Sequence, residues 1–346
     1  MSATGRRDGS DRKGRRAGRI VVLAMALATA WALVAAVAAG ATTVMVGSVL
    51  PPIFKSTPFE GVRTEFNSKL PESGANLGSP VTGAIVRWKM QGAVGGPFTL
   101  RVLHPNGYGA YTPSGASQPV TPSGTGIETF SAQLPIRSGD IIAVDSSNPT
   151  DQIGVAEVPG AAYGLFSQSP LEGTTLAASE TKTDQEIELS AEVQPAPAIT
   201  AVSPAEGSVF GGDEVMITGT NLEGASAVTF GEVPATSFSV VSETQITAVA
   251  PPQVAIGPVD VNATTAAGVS PTVTADQFLY RGCRVPKLAG RKLGPAKSAI
   301  RHAGCTVGKV AEVKGPKRKR GKVIHQNPTA GRLLAPGAKV AFKLVK

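Results

Sequence analysis

Residues 197–252 read PAITAVSPAEGSVFGGDEVMITGTNLEGASAVTFGEVPATSFSVVSETQITAVAPP, and this stretch decides the fold. Val215 and Ile217 recur with period two, which places them on one face of a half-buried strand. Gly219 and Asn221 suit a left-handed turn, and Val228 with Phe230 begin the return strand. Gly211-Gly212 marks a tight bend before the first of these strands. Downstream, GPVDVNATTAAGVSP (257–271) and DQFLY (276–280) continue the same short-strand grammar.

The ordered series Ile199, Val202-Ser203-Pro204 and Gly207, then Gly211-Gly212, Ile217-Thr218-Gly219 and Asn221-Leu222, resembles the IPT/TIG family of immunoglobulin-like domains. The resemblance spans residues 196–281 and implies a small β-sandwich acting as a rigid spacer or interaction module without catalytic residues. Asp213, Glu214 and Glu223 raise the question of calcium, which takes several clustered oxygens. They stand singly around loops without D-x-D spacing, so a solvated surface is the preferred reading and no metal ligand is assigned.

Residues 282–346 form a unit of a different kind. Pro295 suits a first helical turn, and Ala296, Ala299, Ile300 and Ala303 fall at helical spacing on one apolar stripe. Gly304 ends that helix as a left-handed cap, and the alternation Val340 to Val345 makes a closing strand. Two cysteines, Cys283 and Cys305, are the only ones in the chain. In an exported protein they read as one disulfide tying the helix end to the first strand, the alternative being two buried thiols. Closing a loop of this size contributes on the order of 3 kcal/mol.

The opening Val285-Pro286, Leu288 and Gly290, the helix ending at Ala303-Gly304, two Gly-Lys-Val triplets, Gln326-Asn327-Pro328 and Pro336-Gly337 with Lys339-Val340 resemble the PASTA family. The family is known from penicillin-binding proteins and bacterial Ser/Thr kinase ectodomains. The resemblance implies one helix on a short sheet and binding to peptidoglycan fragments. Independently of it, residues 281–346 hold 18 Lys or Arg against the single acid Glu312. Such a surface attracts anionic polymers through counterion release and long-range steering. Lys317, Arg318, Lys319, Arg320 and Lys322 are the candidate wall-binding residues; a solvated turn that aids solubility is the alternative.

Upstream, residues 52–195 show alternating runs at Ala84–Met90, Phe98–Leu103, Asp140–Val144 and Glu186–Val193, separated by turn segments such as Pro105-Asn106-Gly107. They predict a jelly-roll-like β-sandwich of unassigned role. Trp88, Tyr108 and Tyr111 are candidate sugar-stacking aromatics, weighed against a packing role.

Residues 1–19 are basic, and Ile20 to Ala41 carry no charge. An n-region followed by an apolar helix of this length is either a transmembrane anchor or a signal peptide core, with Ala39-Gly40-Ala41 as a small-x-small cleavage site. The basic flank stays cytoplasmic, so everything after it is expected outside.

The fold expectation is therefore mainly β: an N-terminal hydrophobic helix, a β-sandwich (52–195), an IPT/TIG-like sandwich (196–281) and a small α+β PASTA-like domain (282–346). No G-x-S-x-G, HExxH or P-loop occurs, and His104, His302 and His325 lie in no catalytic setting, so no catalytic, metal or cofactor residues are assigned. Nucleic acid is not an expected partner, because the chain is exported and Phe342 is the only aromatic of the basic tail. The expected function is a non-catalytic cell-envelope protein, membrane-anchored or secreted to the wall, whose tail binds peptidoglycan or anionic glycan. A carbohydrate- or protein-binding adhesin acting through residues 52–195 is the alternative, and a glycosidase with two facing carboxylates in that segment is the enzymatic one.

Overall fold

The computed structural model describes residues 42–346 apart from Ile53 and Glu60. The leader expected over residues 1–41, signal or anchor, lies outside the described residues. Among the described residues no helix is long and apolar enough to cross a membrane. Strand dominates, and the α-helix among them is Leu293–His302.

The first domain packs two antiparallel sheets face to face. One orders the strands Val44–Gly47, Leu189–Pro195, Gly83–Met90 and Glu128–Ile136. The larger runs from Leu176–Ala177 through Ala110–Ala116, Thr99–Gly107, Ile141–Asp145, Thr64–Lys69 and Gln152–Phe166 to Glu180–Ile187, with Lys55–Pro58 beside Gln152–Phe166. Side chains from both sheets, Ile85, Trp88 and Leu189 from one and Leu100, Val144 and Ile153 from the other, fill the core. Against Leu189–Pro195 the register of Gly83–Met90 shifts between Ile85 and Arg87, and the extra residue on this strand lets both Ile85 and Trp88 point inward. The larger sheet is apolar on its second face too: Phe66, Leu103, Ile141 and Phe166 form a satellite core there. This explains why Ile141–Asp145 is buried along its whole length.

The run Glu186–Val193, expected as one strand, divides. Glu180–Ile187 pairs with Gln152–Phe166 in the larger sheet, whereas Leu189–Pro195 pairs with Gly83–Met90 in the smaller. The chain changes sheets at Glu188, a corner that period-two patterning alone does not register.

The second domain is also a two-sheet sandwich. Ala198–Ser203, Glu214–Thr220, Gln245–Val249 and Ser237–Ser242 form one sheet; Glu206–Ser208, Gln277–Arg281, Gly257–Thr265, Ala227–Phe230 and Val233–Pro234 form the other. Val215 and Ile217 are fully buried between exposed neighbours, and Phe230, Phe278 and Tyr280 pack edge to face around them. Asn221 does take a left-handed conformation, φ 54°. Gly219 does not serve the turn that way. A Cβ there would stand 2.1 Å from the Ala198 carbonyl oxygen, so close approach of the neighbouring strand demands glycine.

In the third domain Lys339–Val345 lies between Thr306–Val313, to which it is parallel, and Val323–Asn327, to which it is antiparallel. The helix Leu293–His302 sets Ala296 and Ile300 against this sheet, with Val340, Phe342 and Leu344 beneath. It ends in a Schellman arrangement. Gly304 has φ 70°, its N–H donates to Arg301 O, and Cys305 N–H donates to Ile300 O.

The joints between domains are short. Ala196 donates its N–H to Thr82 O of the first domain, and its carbonyl accepts from Asn221 Nδ2 of the second. Gly282 alone separates Arg281 from Cys283, where the next sheet begins.

Candidate functional site

Cys283 and Cys305 are joined by a disulfide. It pins the segment leaving the second domain to the end of the third domain's helix. Gln326 adds a polar staple: its Oε1 accepts Leu288 N–H at 2.8 Å, and its Nε2 donates to Pro286 O at 2.9 Å. The glutamine of the Gln326-Asn327-Pro328 motif thus holds the domain's opening segment on its sheet.

These ties fix a cationic rim. Lys317–Lys319 form a single 3-10 turn, and Lys317, Arg318, Lys319, Arg320 and Lys322 are all exposed. The turn is stitched to the end of the sheet by Gly321 N–H donating to Val345 O and Val345 N–H donating to Lys322 O. Lys346 N–H donates to Val313 O, which brings Lys314 to the same end. Lys292 bridges to Lys322 at the helix start, and the first helical turn holds no acid to offset its positive end. Among the described residues no Lys or Arg of 284–346 forms an ion pair. The five basic residues singled out in the sequence are therefore brought together, free and solvated, at one end of the domain.

Beside the rim, the outer face of the sheet carries a groove of about 320 Å³ lined by Lys309, Ala311, His325, Asn327, Ala341, Phe342 and Lys343. Sequence reading missed it. Its members are spread over three strands whose adjacency depends on a parallel pairing.

The three aromatics of the first domain do not form a site. Trp88 has no exposed surface and packs on Phe130 at 5.0 Å between ring centroids, so it cannot stack on a sugar. Tyr111 is half-buried against Phe66, at 4.6 Å between centroids, and burial pushes its hydroxyl pKa up. Tyr108 is fully exposed at the hairpin turn before Ala110–Ala116.

Two arrangements bear on catalysis. His104 Nδ1 lies 2.7 Å from Asp140 Oδ1, a pairing across adjacent strands, but no Ser or Thr hydroxyl among the described residues hydrogen-bonds to the ring. Near the corner at Glu188, Glu186 and Glu188 are fully buried beside Glu72. Glu186 accepts a hydrogen bond from Ser48 Oγ at 2.6 Å, and neither oxygen of Glu188 has a partner. Burial, then the hydrogen bond and charge of Glu72, raise Glu186 to about 8; burial, then the charges of Glu186 and Glu72, raise Glu188 to about 8. Protonated Glu186 can donate to Glu72, which gives Glu186 Oε2 and Glu72 Oε2 a partner in each other. With no exposed surface on either glutamate, a glycosidic oxygen does not reach them in this conformation.

In the second domain Asp213 accepts Ser208 N–H at 2.6 Å and so closes its own loop.

Comparison with known proteins bears on the second and third domains. The IPT/TIG domain model matches residues 197–280 and the PASTA domain model matches residues 284–346. No curated protein matches the chain. Among solved structures, an auxiliary nutrient binding protein from Bacteroides ovatus is 22% identical over 27% of this chain and 24% of its own, with TM-score 0.20. SGBP-B from a complex xyloglucan utilization locus in Bacteroides uniformis is 12% identical over 70% of this chain and 58% of its own, with TM-score 0.21. A gamma-CGTase from alkalophilic Bacillus clarkii is 20% identical over 36% and 20%, with TM-score 0.21. The chain spans less than two thirds of each of these structures, and likeness at this level carries no functional argument. The disulfide and the PASTA match together point to an extracytoplasmic, β-rich protein of the cell envelope. From the ordered motifs, the two sandwich sheets, and the disulfide-pinned helix on its three-stranded sheet, this chain contains an IPT/TIG domain at residues 197–280 followed by a PASTA domain at residues 284–346.

Proposed function

We propose that this is a non-catalytic envelope protein that attaches to wall polymer, peptidoglycan or an anionic glycan, through its PASTA domain. The IPT/TIG domain serves as spacer between that anchor point and the first sandwich. The observation that carries the reading is the rim of Lys314, Lys317 to Arg320 and Lys322, exposed and without ion pairs at one end of a domain holding Glu312 as its only acid. A fold gains nothing from crowding like charges, so their concentration favours a polyanionic partner that replaces condensed counterions. Shortness of the joints at Ala196 and Gly282 supports a spacer that transmits position rather than a loose tether.

Co-sedimentation of the chain expressed from Thr42 onward with purified wall sacculi tests this. Pelleting that falls steeply as salt rises, and that weakens when Lys317, Arg318, Lys319 and Arg320 become Gln, is expected. Equal pelleting of the neutralised protein at all salt concentrations would remove the electrostatic basis.

A further inference from the structure

We infer that the first sandwich binds a calcium ion at the corner where the chain changes sheets, held by Glu72, Glu186 and Glu188 together with the side-chain oxygens of Gln91 and Ser190. The site lies outside both family domains and is independent of the wall-binding reading.

Backbone pairing gathers these residues. Leu189 pairs with Met90 and both point into the core, so their neighbours Glu188, Ser190 and Gln91 turn to the opposite face of the smaller sheet. Gln91 N–H donates to Glu188 O at 3.2 Å, which sets the two residues side by side on that face. Val44–Gly47 runs alongside Leu189–Pro195, and Ser48 just beyond it donates its hydroxyl to Glu186. Gly47 and Asn76 exchange two backbone hydrogen bonds, which pin the loop carrying Glu72 over the same corner.

The chemistry of the group follows from its unpaired atoms. Among the described residues eight buried side-chain polar atoms have no hydrogen-bond partner, and six of them are oxygens found here: one each of Glu72, Gln91, Glu186 and Ser190, and both of Glu188. A proton shared by Glu186 and Glu72 serves two of the six. Those of Glu188, Gln91 and Ser190 remain. Gln91 and Ser190 are not acids, yet they are 8% and 1% exposed, and the unpaired atom of Gln91 is its carbonyl oxygen, the end of an amide that binds cations. Buried oxygens without partners cost free energy, and a single cation coordinated by all of them removes that cost. None of the six atoms is nitrogen or sulfur, and three of the five residues carry carboxylates, which is the donor set of a hard divalent ion. Calcium takes six to eight such oxygens in flexible geometry, whereas magnesium demands a near-ideal octahedron and keeps much of its water.

Among the described residues no three acids already stand as a ligand set. Glutamate side chains rotate about three torsions, so the ion draws the carboxylates inward while the hydrogen-bonded backbone stays in place. A cavity of about 370 Å³ lined by Ser48, Leu50, Gly74, Ile127 and Ser190 opens on this face and gives the ion its entry. Lys89 also lines it, but its charge is met by Glu192 at 2.8 Å.

Calorimetric titration of the same chain, stripped with chelator and dialysed, with calcium chloride near neutral pH tests the assignment. One ion per chain with a Kd of about 1 mM or tighter is expected, and magnesium chloride should bind at least about tenfold more weakly. Glu186→Gln and Glu188→Gln should each weaken calcium about tenfold or more, whereas Glu157→Gln, an exposed acid of the neighbouring strand, should leave it unchanged. Protons and calcium compete for the same oxygens, so urea unfolding in chelator reports the proton-bound chain, and calcium should raise the midpoint of the first domain above that value. Absence of both binding heat and midpoint shift, equal affinity for magnesium, or undiminished binding in both glutamine variants each overturns the assignment. Glutamine is nearly isosteric with a protonated glutamate, so both variants are expected to fold. Should they not, Gln91→Met removes one oxygen at nearly constant volume: a loss of about threefold or more supports the site, and unchanged affinity overturns it.

Discussion

The carbonyl oxygen of Gly282 lies 2.4 Å from the point where a Cβ on Gly304 would stand, and Gly304 itself holds φ 70°. One residue thus serves as helix cap and as the contact between helix end and interdomain joint. Gly304→Ala meets both penalties, a left-handed backbone costing about 1–2 kcal/mol and a clash with main chain that cannot rotate away. The expected outcome is loss of hydrogen-exchange protection across residues 293–345, with the amides of the first sandwich unchanged.

The Cys283–Cys305 bridge sits at the same joint. Replacing both cysteines by serine should lower the stability of the PASTA domain by about 3 kcal/mol, the entropy of reopening a loop of this length. Urea unfolding with and without reductant checks it. The reductant should destabilise the unmodified chain and leave the double variant where it is.

Glu186 and Glu188 give the first sandwich a pH dependence of definite sign. Their pKa values stand at about 8 in the folded protein against 4.5 as the ordinary value. Below 4.5 both folded and unfolded chains are protonated and the contribution is constant. From 4.5 to about 8 the unfolded chain gives up protons that the native state retains, so stability falls as pH rises through this window. The urea midpoint of the first domain should be higher at pH 5 than at pH 8.5. Glu188→Gln should flatten that slope, and an unchanged slope would mean the carboxyl is ionised in the native state.

Trp88 and Tyr108 provide a contrast within one domain. Trp88→Ala removes a fully buried ring and should cost about 3–5 kcal/mol, whereas Tyr108→Ala, at an exposed turn, should leave the melting curve in place. Calorimetry of the two variants separates core from surface.

What could be read from the sequence follows how local each feature is. Val215 and Ile217, or Ala296 and Ile300, reveal their faces within a few residues, because strand and helix periods are short-range properties. Trp88 was open to two readings because its inward face depends on a register shift beside Ile85. Glu186 and Glu188 sit at alternate positions like any solvent-facing pair. Only the sheet change between Ile187 and Leu189 buries them, and that is a tertiary event. The rim at Lys317 to Arg320 was legible as a run, whereas the groove joins Lys309, His325 and Lys343 across strand pairings that no local pattern encodes.

Gln326 separates architecture from binding in the PASTA domain. Its side chain accepts from Leu288 N–H and donates to Pro286 O and, at 3.3 Å, to Pro328 O. Gln326→Ala leaves half-buried backbone groups without partners and should cost about 1–3 kcal/mol. Gln326→Glu keeps an acceptor for Leu288 N–H but turns a negative oxygen toward two carbonyls, so it should be destabilised at neutral pH and partly recover in acid, as the carboxyl gains a proton to donate. Neither variant removes a cation. Below its own melting temperature each should therefore sediment with sacculi as the unmodified chain does, and a loss of pelleting in a folded Gln326→Ala protein would move this residue from scaffold to contact.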